Sequence, residues 1–184
     1  PPARRWPTFK VMRVMALAGS EPEQPLGRLL NQARPELVIT LGDLALDYLD
    51  PLRSWPRPKV GVYGDQDSRP YLAQLGIADL HGRGVALPAL DGLTVGGIEG
   101  AHRHKSGAGR QYSQGEAAEI IAHIPRVEIF CSHAPLRGLG DGEGLAERGW
   151  EALRSYLEQR RPLVLLHGQA GAAEGPQSQP PLRM

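Results

Sequence analysis

The 184-residue chain has a single cysteine, Cys131. No disulfide can close within it, and zinc sites built on Cys-x-x-Cys pairs are excluded. A reducing cytoplasm is therefore the expected compartment. Long hydrophobic runs are also missing: none approaches the roughly 20 residues that a membrane helix needs, so no membrane partner is expected. The basic opening PPARRWPTFKVMRVM is not followed by an apolar stretch and a small-residue cleavage site, and no signal peptide is read there. Excess charge is scarce as well. The formal net charge is +1, which gives no global indication of a nucleic-acid partner, although it leaves room for a local basic patch. Asn31 is the only asparagine, and Arg heavily outnumbers Lys. A GC-rich genome or a hot habitat, in which Asn is thermolabile, would each produce that bias. With asparagine so rare, an Asp standing where relatives have Asn is as readily drift as design.

What is present is the composition of one globular domain, with 41% hydrophobic and 22% charged residues in a length that allows a full core. Short apolar strands alternate with helical patterns. KVMRVMALA, ELVITLG, KVGVYG, RVEIFCSH and PLVLLHG read as strands. RGVALPALDGLTVGGIEG reads as two strands about a turn at Asp91-Gly92. QPLGRLLNQA, LALDYLDPL and LAERGWEALRSYLEQR read as helices, and Ser113 and Glu116 stand at capping-box spacing ahead of another that runs to Ile124. The end of the chain, QAGAAEGPQSQPPLRM, has no apolar period. The domain is taken as residues 1–171, followed by a flexible tail over 172–184. Alternating strands and helices predict an α/β fold, with a largely parallel sheet and helices on both faces.

In such sheets ligands sit beyond the carboxyl ends of the strands. Five strand exits carry glycine or polar groups: Gly19, Ser20 and Glu21; Gly42 and Asp43; Gly64, Asp65, Gln66 and Asp67; His133; and His167, Gly168 and Gln169. They should converge at one rim. Gly-Asp is a common turn and a lone His is more often structural, so the weight lies in the joint pattern.

That order of motifs resembles the calcineurin-like metallophosphoesterases, which carry an Asp-x-His, a Gly-Asp, a Gly-Asn-His-Asp, an isolated His and a Gly-His-x-His in sequence. The likeness runs to about Gly171. It is nearest to small bacterial members in GDLALDYLDPL, GLTVGGIEGAHRHKSGAGRQYSQGE, CSHAPLRGLGDGEGLAERGWEAL and LLHG. The resemblance implies that family's fold, central β-sheets flanked by helices in an αββα arrangement, and a site in which two metal ions clamp a phosphate and activate a water.

Carried over residue by residue, much of the ligand set is missing. The first Asp falls on Gly19 and its His on Glu21. Asp43 matches the bridging Asp, and Asp65 replaces the metal-binding Asn. Gln66 replaces the His that assists the leaving group, and His133 matches the isolated His. The two last histidines fall on Gln169 and Gly171. One metal position is expected to be empty. The other keeps Asp43, Asp65 and His133, with Gln169 as a further carbonyl donor. No cofactor is expected to be required; one weakly held divalent ion, Mn²⁺ or Mg²⁺, is the alternative those ligands leave open. Loss of ligands and of the acid at Gln66 implies a degenerate, non-catalytic binding or scaffold protein with a protein partner and room for a phosphate-containing ligand. The alternative is a weak single-metal phosphodiesterase or phosphatase.

Plainer readings stand beside these. Asp43 and Asp65 suit turn carboxylates bonded to backbone N–H groups or to arginines, and His133 suits a strand-end His bonded to the backbone. Cys131 and His133 share a strand face, but a buried structural Cys is expected over a nucleophile. GLGDGEG lacks the Lys-Ser/Thr of a phosphate loop. HRHKSGAGR, His102 to Arg110, is a basic loop that is either a solvated surface or a contact for an anionic substrate or partner.

Overall fold

The computed structural model describes residues 11–105 and 109–169. Gly171 and the expected tail over 172–184 lie outside them. The first half of the chain forms β1 (Val14–Leu17), α1 (Leu26–Ala33), β2 (Leu37–Thr40), α2 (Leu46–Leu49) running into a 3-10 helix at Asp50–Ser54, β3 (Lys59–Gly61), a 3-10 helix at Ala73–Leu75, and β4 (Ala78–Asp79). The four strands make one parallel sheet in the order β1-β2-β3-β4. The second half adds β5 (Arg83–Leu87), β6 (Leu93–Ile98), β7 (Ala101–His102), β8 (Gln111–Tyr112), α3 (Gln114–His123), β9 (Ile129–Ser132), α4 (Ala152–Arg160) and β10 (Val164–His167). Its main sheet has the order β10-β9-β6-β5 and is parallel except for the β5–β6 hairpin. The α/β class expected from the sequence is present.

Strand periodicity sorts the core into layers. In β2, Leu37 and Ile39 face one way and Val38 the other. The first two join Val60, Val95, Ile129 and Cys131 in a cluster drawn from both sheets, while Val38 packs with Leu26 and Leu30 of α1. The central strand β9 repeats the pattern: Ile129 and Cys131 enter the inter-sheet cluster, and Phe130 packs with Ile121 of α3 and Leu153 of α4. All four residues of β2 and of β9 are buried. That is why these segments read as continuous apolar runs and not as alternations. The result is helix, sheet, sheet, helix. Among the described residues no helix is long and apolar enough to cross a membrane.

Local signals account for two boundaries. Ser113 accepts a hydrogen bond from the Glu116 backbone N–H (3.2 Å), and the Glu116 carboxylate accepts from the Ser113 N–H (2.7 Å), so the capping box closes. Asp91 and Gly92 both take the left-handed conformation, with φ of 57° and 80°, in the turn between Leu87 and Leu93. One expectation is corrected. The helical pattern LAERGWEALRSYLEQR yields only a 3-10 helix at Leu145–Glu147, and α4 begins at Ala152. The Trp150 N–H donates to the Pro135 carbonyl (2.8 Å), and the Trp150 carbonyl accepts from Arg137 (3.2 Å). A Cβ on Gly149 would lie 2.6 Å from the Pro135 oxygen. Backbone groups spent on that pairing cannot also serve a helix, and burial of the whole Trp150 side chain outweighs the lost turn.

Candidate metal centre

The site begins where β2 and β3 end. The chain leaves β2 through Gly42 (φ 91°) and Asp43 (φ 56°), and a Cβ on Gly42 would fall 2.1 Å from the Gly64 nitrogen. From the other side, a Cβ on Gly64 would fall 1.9 Å from Asp43 Oδ1. The two exits are thus packed backbone to backbone, and only glycine fits at either point. Asp43 is itself held in a conformation that Asp and Asn tolerate better than other L-residues. Asp67 pins it there: its Oδ2 accepts from the N–H of Gly64 (2.7 Å), the N–H of Asp43 (3.1 Å) and the hydroxyl of Tyr71 (3.2 Å). Burial raises the Asp67 pKa, and the Gly64 and Asp43 N–H groups offset that only in part. The Gln66 N–H donates to Asp43 Oδ1 at 2.9 Å. Asp43 therefore fills its expected turn role while its second oxygen, Oδ2, faces His133.

His133 follows β9 and is buried. Its Nδ1 lies 2.6 Å from the Leu41 carbonyl oxygen. A carbonyl only accepts, so Nδ1 carries the hydrogen and Nε2 is the free nitrogen of the neutral ring. Nε2 lies 3.2 Å from Asp43 Oδ2 and 3.5 Å from Asp65 Oδ1, yet it is buried without a hydrogen bond of good geometry to either. A lone pair directed between two carboxylates is repelled unless a cation lies between them. In the metal-free chain that cation is a proton. Burial alone would depress the His133 pKa, but Asp43 and Asp65 more than offset it and hold it up to about 10. Burial also pushes Asp65 up, and the His133 bond and charge, the charge of His104 and the Gln66 amide outweigh it, leaving Asp65 below the usual carboxylate range. One ligand atom from each of Asp43, Asp65 and His133 lies within 4.8 Å of the others. Two carboxylate oxygens and an imidazole nitrogen suit a divalent ion such as Mn²⁺ or Mg²⁺, and the otherwise orphaned Nε2 fits one ion.

The remaining candidates fall around this group. The Gln169 N–H donates to the His133 carbonyl (2.8 Å) and its side-chain amide to Ala146 (3.1 Å), while its Oε1 is buried without a partner and retains the chemistry of an oxygen donor. Gln66 turns its amide onto Asp65 Oδ2 at 2.5 Å, so it donates a hydrogen bond to a carboxylate and has no acidic proton to give. Glu21 accepts from the Ala45 N–H (3.2 Å). Gly19 (φ 60°) donates to the Gly42 carbonyl, and a Cβ there would come 3.5 Å from the Gly168 oxygen. The five exits do meet at one rim. Cys131 is buried, and burial pushes its thiol pKa far up, which suits the structural reading over a nucleophile.

Sequence reasoning missed a supporting network. The Arg110 guanidinium lies 4.0 Å from the centroid of the Tyr63 ring, pairs with Glu99 (3.1 Å) and donates to the Asp67 carbonyl. Glu99 also accepts from Tyr112 at 2.7 Å. The basic loop thus sends one of its cations inward to brace the loop that carries Asp65. No spacing in the sequence signals this, because the partners come from three separate stretches, 63–67, 99 and 110–112.

Neither a family profile nor a curated protein matches the chain. Two solved structures share its fold. One is 13% identical with a TM-score of 0.65, covering 88% of this chain and 85% of its own. The other, TT1561 of Thermus thermophilus, is 16% identical with a TM-score of 0.58, covering 85% and 81%. At such identities the likeness establishes a shared architecture and nothing about activity.

Proposed function

We propose that this chain is a calcineurin-like metallophosphoesterase-fold protein of the αββα type that keeps one divalent-ion position and works in the cytoplasm by binding and not by hydrolysis. The observation that carries the reading is the His133 Nε2, fixed as an acceptor by Leu41 and directed between Asp43 and Asp65. Among the described residues a second ion has no comparable seat: Gly19 contributes no side chain, and Glu21 is engaged with Ala45. A bound ion would supply Lewis-acid polarisation of a phosphate oxygen. Gln66, which the resemblance puts where the family's leaving-group acid stands, has no acidic proton to give. Asp67, Gly64 and Gln66 instead hold Asp43 in place, which suits a rim that captures a phosphate-bearing ligand, or a partner protein, without turning it over.

The test is metal content and turnover measured together. Equilibrium dialysis against Mn²⁺ should give one ion per chain, and His133→Ala should abolish it. Two ions per chain would refute the single-site reading. Hydrolysis of a chromogenic phosphodiester at ~1 s⁻¹ or faster would replace the binding role with that of a single-metal phosphodiesterase.

A further inference from the structure

The opposite pole of the molecule carries a second concave surface, unrelated to the metal rim. Just ahead of β1, β2 and β3 a cleft of about 920 Å³ opens between Val11, Arg13, Asn31, Arg34, Pro35, Glu36, Trp55 and Arg57. That volume falls in the usual range of ligand sites, roughly 300–1,000 Å³. Three of its residues are arginines and one is an acid. Glu36 is occupied by the Arg13 backbone N–H (3.2 Å), and Arg13 Nε donates to the Arg34 carbonyl (3.3 Å), which orients that guanidinium at the end of α1. Among the described residues none of the three arginines forms an ion pair, and Arg34 and Arg57 make no side-chain hydrogen bond. Three guanidinium groups against one carboxylate leave the concavity cationic, and it attracts a polyanion. The ten residues before Val11 include Arg4, Arg5 and Lys10 and no acid.

We propose that this cleft binds a short segment of single-stranded nucleic acid. The planar fork of arginine matches phosphate, and three forks about one groove match a phosphodiester track better than a single carboxylate. Trp55 lines the same cleft, half-buried against the core beneath, with the exposed Pro56 next to it in the chain and Pro35 buried. A flat apolar surface of that kind among cations is what unpaired bases stack on, whatever their sequence. Asn31 adds an amide able to meet a base edge. An acidic peptide would satisfy the charges and leave the indole and Pro56 unused.

Fluorescence polarisation of a labelled oligo(dT) of ~10 nucleotides with the full chain tests the proposal. Binding should weaken with salt at a log–log slope near −2, the value for about three phosphate contacts on a single strand. Arg34→Gln with Arg57→Gln should lower affinity about tenfold or more and flatten the slope by roughly 1.4, about 0.7 per lost contact. Both side chains are without partners, so the melting temperature should stay unchanged. The control Arg154→Gln with Arg160→Gln removes the same charge on α4 and should leave affinity within about twofold. No binding at low salt would overturn the proposal, as would equal losses in the two double variants. Displacement of the strand by oligoglutamate at equal charge would also overturn it and make the partner an acidic protein.

Discussion

Asp67 offers the sharpest test of how the rim is held, because one oxygen does all the work. Its Oδ2 alone accepts from Gly64, Asp43 and Tyr71, at 2.7, 3.1 and 3.2 Å. Asp67→Asn can place its amide oxygen where Oδ2 stands and keep all three donors satisfied. It loses the charge, but burial and the neighbouring Asp43 already make that charge unfavourable, as the raised pKa records. The two effects oppose each other, so Asn should cost ~1 kcal/mol or less, the net worth of an ordinary hydrogen bond. Asp67→Ala leaves two backbone N–H groups and a hydroxyl without their acceptor, each costing ~1–3 kcal/mol. Some are rescued by water, so a loss of ~3–5 kcal/mol is expected. The Ala variant should also weaken Mn²⁺ binding by about 10–100-fold, since Asp43 keeps its left-handed turn only while its N–H is held. Urea unfolding of both variants, with Mn²⁺ titration by calorimetry, measures the two effects. The reasoning fails if Asn destabilises as much as Ala, or if Ala costs less than ~1 kcal/mol.

Two further outcomes follow from the same structure. His133 has its folded-state pKa raised from an ordinary 6.5 to about 10; its stabilisation is therefore complete below pH 6.5 and disappears as pH climbs to about 10. That difference is on the order of 3–5 kcal/mol for a buried imidazolium. Urea midpoints in a chelator should fall steadily over that window, a flat profile would refute the pairing, and saturating Mn²⁺ should blunt the fall. Removing the capping box with Ser113→Ala should cost ~1 kcal/mol without changing metal affinity, read by thermal melting and the same calorimetry; an altered affinity would mean that α3 is coupled to the rim.

Where the chain obeys local rules, its sequence was readable. The period of two in β2 and β9 separates inter-sheet residues such as Ile39 and Cys131 from helix-facing ones such as Val38 and Phe130, and the Ser113–Glu116 spacing closes as a capping box. The rim was readable for a different reason: parallel strands deliver their exits to one edge, so residues as far apart as Asp43 and His133 had to approach each other. What could not be read are features fixed by tertiary demand. Helix propensity over Leu145–Trp150 gives way because the pairing with Pro135 and burial of Trp150 claim that backbone. The network of Arg110, Tyr63 and Glu99 comes from segments with no shared period. The same limit hides the arginine cleft, where Arg13, Arg34 and Arg57 are separated by about twenty residues each and the net charge of +1 conceals their convergence. A sum over the chain is blind to place, whereas the field at a surface depends on nothing else. A near-neutral chain can therefore carry a cationic groove at one pole and an anionic ligand cluster at the other, kept apart by the length of the strands between them.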